Sequence, residues 1–516
     1  MKRAAEMVGG DDKIYDLGIV GGGINGAGIA RDAAGRGLAV ALVEKGDLAS
    51  ATSSASSKLI HGGLRYLEYF EFRLVREALG EREVLLRIAP HIVRPLRFVL
   101  PHVDSLRPAW MIRLGLALYD HLGRRVTLPG SEGVDLRHGP LGVGLKPGLA
   151  KGFAYSDCWV DDARLVVLNA RAAAEAGAAI FTRTRCVGGT RDAGLWHLRV
   201  RDEDSGDERT LIARALINAS GPWAREFKKK TLHLPTPHDL KLVQGSHIVV
   251  PRLHHADHAL ILQNDDGRVV FVIPYEGAFS LIGTTESVLD AVPGDDGRQQ
   301  ATLPQAPDDE ILYLCRAANR YMARTITPED VIWSYSGVRP LLAEDVSDPK
   351  AITRDYEFEL DAADGEAPAL TIIGGKITTY RRLAEKALDR IAPYLDGMGP
   401  PWTAAVPLPG GDLGAGGLDA FCDQLRRDYR GLPAGYVATL ARRYGSLAGE
   451  ILGDARNPGD LGQGFGATLF AREVDYLVAR EWAVTPEDVL WRRTKAGLHT
   501  TAQQRDDLAG FMARTA

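Results

Sequence analysis

Cysteine is scarce in this sequence, since only Cys158, Cys186, Cys315 and Cys422 occur among 516 residues. No two of them have the Cys-x-x-Cys spacing found in redox and zinc motifs. We therefore expect neither a disulfide framework nor a cysteine-ligated metal or iron–sulfur site, and no metal site is predicted. The low count is typical of a reducing, cytosolic compartment.

Long apolar runs and a strong charge of one sign are also missing. The sequence contains no run of about 18 apolar residues, which is the length needed to span a bilayer. Residues 1–12 lack the apolar core of a secretory signal. The net charge of −5 gives no reason to expect nucleic acid as a partner. With 45% hydrophobic and 25% charged residues, the sequence is typical of a globular protein with two or more domains. Any membrane contact is expected to be peripheral.

The N-terminal part has the pattern of a βαβ unit. An apolar run at Ile14–Val20 precedes glycines, residues 27–36 have helical periodicity, and residues 38–43 form a second apolar run. A loop of small polar residues follows, between Glu44 and about Tyr66. Such a loop can lie against a polar ligand.

The turn between the first strand and the helix matches the Gly-x-Gly-x-x-Gly motif at Gly21, Gly23 and Gly26. Glycines permit a tight turn there, so that backbone N–H groups and the helix N-terminus meet a pyrophosphate. Glu44 ends the second strand, where a carboxylate can accept ribose hydroxyls. Together these features predict a dinucleotide site, and since no second motif follows, a single dinucleotide is expected.

Further along the chain, the pattern predicts a helix at Phe72–Ile88 and then a group of short strands separated by turns. These strands are expected at residues 240–250, 259–263, 269–273 and 279–282, as an antiparallel sheet inserted into the nucleotide-binding domain. A stretch rich in proline and glycine, 398–417, separates this region from a helical tail. One tail helix is predicted to begin with Thr485 as its N-cap and Pro486 in the first turn.

Over nearly its whole length the sequence resembles the FAD-dependent glycerol-3-phosphate dehydrogenases, within the D-amino-acid-oxidase-like flavoproteins. Six blocks carry the resemblance: 21–28 (GGGINGAG), 52–67 (TSSASSKLIHGGLRYL), 155–162 (YSDCWVDD), 245–250 (GSHIVV), 335–340 (YSGVRP) and 374–380 (GGKITTY).

The resemblance implies an α/β fold: a Rossmann-type FAD-binding domain with an inserted antiparallel β-sheet substrate domain, plus a C-terminal α-helical domain. We expect an N-terminal extension (1–13), an oxidoreductase region (14–397), a linker (398–417) and the helical domain (418–516). Within the oxidoreductase region, FAD-binding segments are expected at about 14–90, 150–230 and 330–397, and substrate segments at about 91–149 and 231–329.

The same resemblance implies oxidation of sn-glycerol 3-phosphate to dihydroxyacetone phosphate by hydride transfer to noncovalent FAD, with membrane quinone as the acceptor. It also implies a homodimer on the cytoplasmic face of a membrane. The predicted cofactor-binding residues are Gly21, Gly23, Ile24, Asn25, Gly26, Glu44, Thr52, Ser53, Ser57, Lys58, Leu59, His61, Gly62, Gly63, Gly221, Trp223, Gly374, Gly375, Lys376, Ile377 and Thr378.

A phosphorylated substrate requires fixed cations. Arg339 suits bidentate phosphate binding, with Arg65, Tyr66 and Lys376 as further substrate-binding residues. Lys376 can assist either the substrate or the flavin.

Removal of the hydroxyl proton requires a base, and the unperturbed pKa of histidine suits that role near neutrality. His247, on a predicted strand of the inserted sheet, is assigned as the base, with Arg339 and Lys376 as the other catalytic residues. His61 is the rival, and a purely structural role stays open for either histidine.

Two segments have the composition of lipid contacts. Residues 110–119, from Trp110, place aromatic side chains beside an apolar stripe followed by Arg124 and Arg125, as in an interfacial helix or a buried core helix. The basic run at 227–230 is consistent with either anionic lipid or a solvated loop.

Two other functional classes stay open. One is an oxygen-using relative of the same fold, either a glycerol-phosphate oxidase or an amine or amino-acid oxidase. The other is a nucleotide-sensing or scaffold protein, because a fold alone does not establish an activity.

Overall fold

The computed structural model describes residues 13–103, 108–123, 126–292, 305–342, 355–466 and 468–515. Its strands are β1 (Ile14–Val20), β2 (Val40–Val43), β3 (Leu59–Ile60), β4 (Val93–Pro101), β5 (Glu132–Asp135), β6 (Lys151–Val160), β7 (Ala179–Phe181), β8 (Thr184–Asp192), β9 (Leu195–Asp202), β10 (Glu208–Asn218), β11 (Leu240–Pro251), β12 (Ala259–Gln263), β13 (Val269–Tyr275), β14 (Phe279–Gly283), β15 (Ser287–Leu289), β16 (Trp333–Leu342), β17 (Glu357–Asp361) and β18 (Ala369–Ile373).

Its α-helices are α1 (Ile24–Gly35), α2 (Phe72–Ile88), α3 (Ala109–Leu122), α4 (Asp162–Glu175), α5 (Ala224–Glu226), α6 (Asp308–Tyr321), α7 (Tyr380–Ile391), α8 (Gly417–Asp428), α9 (Ala434–Tyr444), α10 (Ala448–Leu452), α11 (Ala471–Glu481) and α12 (Ala502–Thr515). Short 3₁₀ and π turns connect several of them, and five of these turns contribute residues to the site described below.

The first sheet has a parallel centre. Its strand order is β17-β18-β10-β1-β2-β7, and β9 continues it from β10 to β8. The pairs from β18 through β7 are parallel. β1 and β2 read as continuous apolar runs because α1, α4 and α7 pack with them in one core. The predicted βαβ unit is therefore confirmed, with the helix beginning three residues earlier, at Ile24.

The second sheet has ten strands in the order β15-β11-β14-β13-β12-β4-β6-β3, with β16 beside β11 and β5 beside β6. The predicted strands β11 to β14 pair antiparallel, as expected. β4 and β12 pair parallel, however, so β4, which comes from an earlier segment of the chain, runs in the same direction as β12.

Strands of the two sheets alternate along the chain. β6 and β16 lie within the regions expected to bind FAD (150–230 and 330–397), yet both strands belong to the second sheet. The chain therefore crosses between the sheets repeatedly and brings loops from both to one place. The predicted segment limits stay a prediction.

The stretch 398–417 packs closely against the first domain. Trp402 donates from Nε1 to the carbonyl of Asp32 at 3.1 Å and lies under the guanidinium of Arg31, while Leu408 is buried in the same core. The many prolines and glycines give this stretch an irregular backbone. Its aromatic and apolar side chains nevertheless hold it against the core that contains α1.

Helices α8 to α12 form a core of their own. Thr485 caps the predicted helix, since its Oγ1 accepts the N–H of Asp488 at 3.3 Å. The helix then widens into a π-helix at Asp488–Arg493. In the part of the chain that the structure describes, we find no helix whose length and apolarity would let it cross a membrane.

Candidate active site

A cavity of about 640 Å³ lies where loops of the two sheets meet. It is lined by the turn after β1, the end of β2, the loop after β2, strand β16 and the turn after β18. A site at the carboxyl ends of parallel strands is the usual place for a ligand in open α/β sheets.

The turn after β1 is closed so tightly that two positions accept only glycine. A Cβ on Gly26 would lie 1.9 Å from the carbonyl oxygen of Gly21, and a Cβ on Gly21, whose φ is +116°, would lie 2.3 Å from the carbonyl oxygen of Ala219. The N-terminus of α1 is thereby brought to the cavity, where Gly21, Gly23, Ile24 and Asn25 line it. This is the geometry that a pyrophosphate requires.

Glu44 lines the cavity at the end of β2. Its carboxylate accepts the N–H of Gly22 at 2.6 Å and that of Gly46 at 2.8 Å. Burial raises the pKa of Glu44, and the two backbone N–H groups oppose that effect. The oriented carboxylate keeps lone pairs with which to accept ribose hydroxyls.

The hydroxyl-rich loop after β2 is hydrogen-bonded to α1 and to strand β16 of the second sheet. Ser53 Oγ accepts the N–H of Ile24 at 2.9 Å, and Thr52 Oγ1 donates to the carbonyl of Val338 at 2.6 Å. Ser57 and Leu59 also line the cavity. The loop is therefore an ordered wall.

The turn after β18 faces the N-terminus of α1. Gly374 and Gly375 have φ values of +72° and +100°, and Asn25 Nδ2 donates to the carbonyl of Gly374 at 3.1 Å. Thr378 Oγ1 accepts the N–H of His61 at 3.3 Å. A 3₁₀ turn, Ile377–Thr379, separates these glycines from α7, so the predicted helix begins later than the motif.

A cluster of cations lines the cavity on the side of the second sheet. Arg65, Arg339 and Lys376 all reach it, and Lys376 Nζ lies 3.5 Å from the centre of the Tyr66 ring. The Glu286 carboxylate lies 4.0 Å from Arg65 Nη1. Guanidinium and ammonium groups held on this side of the cavity can bind an anionic ligand.

His247 lies behind the wall of the cavity, where it contacts Ser57. Its Nε2 is 2.8 Å from Ser57 Oγ, and its ring stacks on Tyr335 at 5.0 Å. A Cβ on Gly283 would lie 2.1 Å from this ring, so the glycine makes room for it. Burial lowers the pKa of His247 well below the usual histidine value, and Arg339 and Lys58 lower it further. The ring is therefore neutral near pH 7.

Four predicted site residues do not line the cavity. Gly26 packs inside its turn, and the N–H of Gly62 donates to Tyr119 Oη at 2.8 Å. Lys58 is fully buried and donates from Nζ to both Asp162 oxygens at 2.9 Å. His247 reaches the cavity only through Ser57. In each of these four, the side chain or backbone group is turned toward a neighbouring element of the protein, and the predicted site roles stay predictions.

The other predicted residues line one continuous wall. They are Gly21, Gly23, Ile24, Asn25, Glu44, Thr52, Ser53, Ser57, Leu59, His61, Gly63, Arg65, Tyr66, Gly221, Trp223, Arg339, Gly374, Gly375, Lys376, Ile377 and Thr378.

Sequence reasoning missed several lining residues. Glu286 and Thr284 follow β14, Phe271 and Tyr155 lie on the second sheet, and Lys45 follows Glu44, with its ammonium 3.8 Å from the Trp223 ring centre. No motif includes Glu286 or Thr284. The only sequence feature that could have indicated a site there is an acidic residue close to a threonine just after a predicted strand. The basic run at 227–230 borders the cavity through Phe227 and Lys230.

These residues fit an FAD. The glycine turn brings the N-terminus of α1 to the cavity, Glu44 lines the cavity with a carboxylate that can accept ribose hydroxyls, and the same cavity extends to the cationic cluster. A cavity of this volume is also in the range of cofactor sites.

Comparison with known families agrees with this fit. The model of the FAD-dependent oxidoreductase family matches residues 16–381, and the model of the C-terminal domain of alpha-glycerophosphate oxidase matches residues 401–514. The chain belongs to this FAD-dependent oxidoreductase family. FAD is therefore its cofactor, and the fold class predicted from the sequence is confirmed.

Two curated members of the family are similar over nearly the whole chain. The aerobic glycerol-3-phosphate dehydrogenase of Escherichia coli is 50% identical over 96% of this chain and 97% of its own length. The D-erythritol 1-phosphate dehydrogenase of Brucella abortus is 50% identical over 95% of this chain and 96% of its own length. The resemblance to the dehydrogenases is thereby confirmed.

A solved structure of the same family shows the same fold. The glycerol-3-phosphate dehydrogenase from Bacillus halodurans, complexed with FAD, superposes with a TM-score of 0.75 at 29% identity, covering 98% of this chain and 91% of that one.

Proposed function

We propose that this flavoenzyme oxidises sn-glycerol 3-phosphate to dihydroxyacetone phosphate. The observation that carries the proposal is the cationic cluster of Arg65, Arg339 and Lys376, which lines the same cavity as the dinucleotide turn. Fixed guanidinium and ammonium groups bind a phosphate dianion by charge-assisted hydrogen bonds. Relatives named for glycerol 3-phosphate support this substrate.

When bound, FAD would supply the acceptor for the hydride of the substrate's C2–H bond. The protein has to hold the phosphate, position C2 and remove the hydroxyl proton. Ser57, at the cavity wall, accepts that proton on Oγ and passes its own proton to Nε2 of His247, 2.8 Å away. When phosphate binds beside Arg339, its negative charge offsets the guanidinium and raises the pKa of His247 toward a more useful value for a base. In this proposal His61 stays a wall residue.

A second candidate substrate is a longer polyol phosphate. The relative named for D-erythritol 1-phosphate is as similar to this chain as the one named for glycerol 3-phosphate. Glu286 lines the cavity beside Arg65 and offers a carboxylate acceptor for additional hydroxyls.

The deciding experiment is anaerobic mixing of the purified holoenzyme with each substrate while the absorbance of oxidised flavin is followed. Rapid bleaching by sn-glycerol 3-phosphate, with slow or no bleaching by D-erythritol 1-phosphate, glycerol and D-alanine, is expected. Faster bleaching by D-erythritol 1-phosphate would select the second candidate. A flavin that no substrate bleaches would favour a non-enzymatic role.

We further propose membrane quinone as the electron acceptor. Flavin reduced by substrate is expected to reoxidise quickly with a soluble quinone and slowly with oxygen. Stoichiometric hydrogen peroxide would instead identify an oxidase.

The proposed route to quinone is peripheral attachment to the cytoplasmic face of the membrane. Large apolar side chains stand exposed on and beside α3, among them Phe70 at 77%, Trp110 at 69% and Leu114 at 63%, while Ile112 and Leu116 on the opposite face of α3 are buried. Side chains of this kind enter a lipid interface readily. Arg124 and Arg125, predicted to flank this surface, lie outside the described residues.

The 3₁₀ turn Leu64–Tyr69 connects this surface to the cavity, since it packs on α3 and carries Arg65 and Tyr66. Flotation with anionic lipid vesicles tests the attachment, and the double variant Trp110→Ser, Leu114→Ser is expected to stay in the unbound fraction. A homodimer is proposed on the family resemblance alone, and light scattering of the detergent-free protein would test it.

A further inference from the structure

The C-terminal domain reaches the dinucleotide site through buried charges. Arg493 donates from Nη1 and Nη2 to the Asp47 carboxylate, at 2.7 Å each, and Arg492 Nε donates to the same carboxylate at 2.5 Å. The side chains of Arg493 and Asp47 are 0% and 2% exposed. These contacts exist only while the C-terminal domain is docked. Undocking would leave each charge without its partner, which is strongly unfavourable for a charge that stays buried.

Asp47 belongs to the loop that forms one wall of the cavity. Lys45 and Ala49, on either side of it, line the cavity. The N–H of Ala49 donates to the carbonyl of Gly22 at 3.1 Å, which joins the loop to the glycine turn. A shift of Asp47 therefore shifts the neighbours of Glu44.

Asp488, on the same π-helix, supports the adjoining turn. Arg183 donates from Nη2 to Asp488 at 2.9 Å, and its own N–H donates to the carbonyl of Gly46 at 2.8 Å. The next residue, Thr184, lines the cavity, and its N–H donates to the carbonyl of Glu44 at 2.8 Å. The acidic group expected at the ribose is thus held by two segments that both depend on this π-helix.

Lys495 supports a later part of the same loop through Asp161 and its neighbour Asp162. Its Nζ donates to Asp161 at 3.2 Å. The adjacent Asp162 accepts from Lys58 and from the hydroxyl of Ser56. Ser56 lines the cavity, so the segment 488–495 supports this loop at two points, one near Asp47 and one near Ser56.

We propose that residues 488–495 of the C-terminal domain act as a positioning clamp for FAD, so that docking of this domain and occupancy of the dinucleotide cavity are thermodynamically coupled. The inference concerns the cofactor and is independent of the substrate proposed above. By reciprocity, FAD binding then stabilises the docked domain by as much as docking strengthens FAD binding. None of the clamp residues Arg492, Arg493, Asp488 and Lys495 lines the cavity, and they act through Asp47, Arg183 and Asp161.

The test is the dissociation constant of FAD, measured by flavin fluorescence on apoprotein prepared from the full chain. Arg492→Gln is the first variant, because its side chain is partly exposed, and Asp47→Asn, which preserves the shape of the side chain, is the second. Each is expected to weaken FAD binding at least about fivefold, the lower end of typical coupling. The double variant is expected to lose much less than the sum of the two effects, because both changes break one contact.

Arg472→Gln is the matched control. It breaks an arginine–aspartate pair inside the C-terminal domain, Arg472–Asp454, and is expected to leave FAD binding unchanged. A clamp also predicts that FAD slows amide hydrogen exchange across residues 484–495 in the wild type and less in Asp47→Asn.

FAD dissociation constants equal to wild type in both Arg492→Gln and Asp47→Asn would overturn the proposal. So would weakening of the same size in Arg472→Gln, because that result would indicate general loosening of the domain. A purely structural role lowers the melting temperatures of the apo and FAD-bound forms by equal amounts, and that pattern too counts against the clamp. None of these readouts requires turnover, so the substrate assignment can fail without affecting them.

Discussion

Ser57 Oγ, in the cavity wall, lies 2.8 Å from Nε2 of His247, which is buried behind that wall. The pair places a neutral imidazole one hydroxyl away from the cavity. The histidine is shielded from solvent, and of the two residues only Ser57 lines the cavity.

If the two residues act as one unit, single substitutions should be nearly as damaging as both together. Ser57→Ala and His247→Asn are each expected to slow flavin reduction by about 10²–10⁴-fold, as for loss of general-base catalysis. The double variant should be no slower than the worse single variant. Rapid-mixing spectroscopy of flavin reduction measures this, and multiplicative losses would show that the residues act separately.

The pH dependence of flavin reduction follows from the lowered pKa of His247. A histidine is an effective base only when deprotonated, which holds above its pKa in the folded protein. His247 is therefore expected to add no acid limb to the second-order rate constant at about pH 6.5, the ordinary histidine value, although the second ionisation of the substrate phosphate, at about pH 6, adds one of its own. An acid limb at about pH 6.5 that is present in the wild type and absent from His247→Asn would contradict this assignment.

The cationic cluster predicts how substrate binding fails. Arg339→Gln should lower kcat/KM by about 10- to 100-fold, because a charge-assisted hydrogen bond is worth about 1.5–3 kcal/mol. Arg339→Lys should recover only part of the loss, since an ammonium cannot bind phosphate through two parallel hydrogen bonds. Arg214→Gln, which breaks a surface pair with Asp16, is the control. An equal loss of kcat/KM in this variant would show that the effect of Arg339→Gln is not specific to phosphate binding.

The glycine turn predicts loss of cofactor without loss of the whole fold. Gly26→Ala places a Cβ 1.9 Å from the carbonyl oxygen of Gly21, so the purified protein should be colourless. Gly80→Ala is the control, because Gly80 lies inside α2 with nothing within 4 Å of its Cβ position. That change should leave the flavin bound and stabilise the protein by roughly 0.5–1 kcal/mol. A yellow Gly26→Ala protein would show that the turn can open.

Buried His91 predicts sensitivity to acid. It is 1% exposed, and burial, aided by Arg164, lowers its pKa to about 3. Below about pH 6.5 the unfolded chain binds a proton that the folded protein excludes, so stability falls as the pH falls, by about 1.4 kcal/mol per unit. Denaturant unfolding at pH 7 and pH 5 should show a loss about 2 kcal/mol smaller in His91→Leu than in wild type. Equal losses would assign the acid sensitivity to other groups.

Much of the fold could be predicted because the sequence carries local signals for it. The helix Phe72–Ile88 and the strand Ala259–Gln263 lie at their predicted bounds, since apolar periodicity and turn residues report which face of an element is buried. The dinucleotide turn is also local. Its glycines and Glu44 lie within one βαβ unit, and each is recognisable without the rest of the chain.

Local pattern was insufficient where a side chain's direction depends on distant segments. Lys58 sits in a loop that lines the cavity, yet its ammonium turns away to Asp162. Glu286 lines the cavity without any motif around it. In both cases the deciding partner comes from another strand or helix, and side-chain periodicity does not encode which partner that is.

The amino-acid sequence by itself determined the βαβ unit, the glycine turn, the helix Phe72–Ile88 and the strands β11 to β14, because short-range sterics and the spacing of apolar residues specify them. Only the tertiary structure decided that Arg493 meets Asp47, 446 residues earlier, and that His247 lies behind Ser57. Those contacts form because buried charges and polar groups must find partners, and the partners become available only when both sheets and the C-terminal domain have packed together.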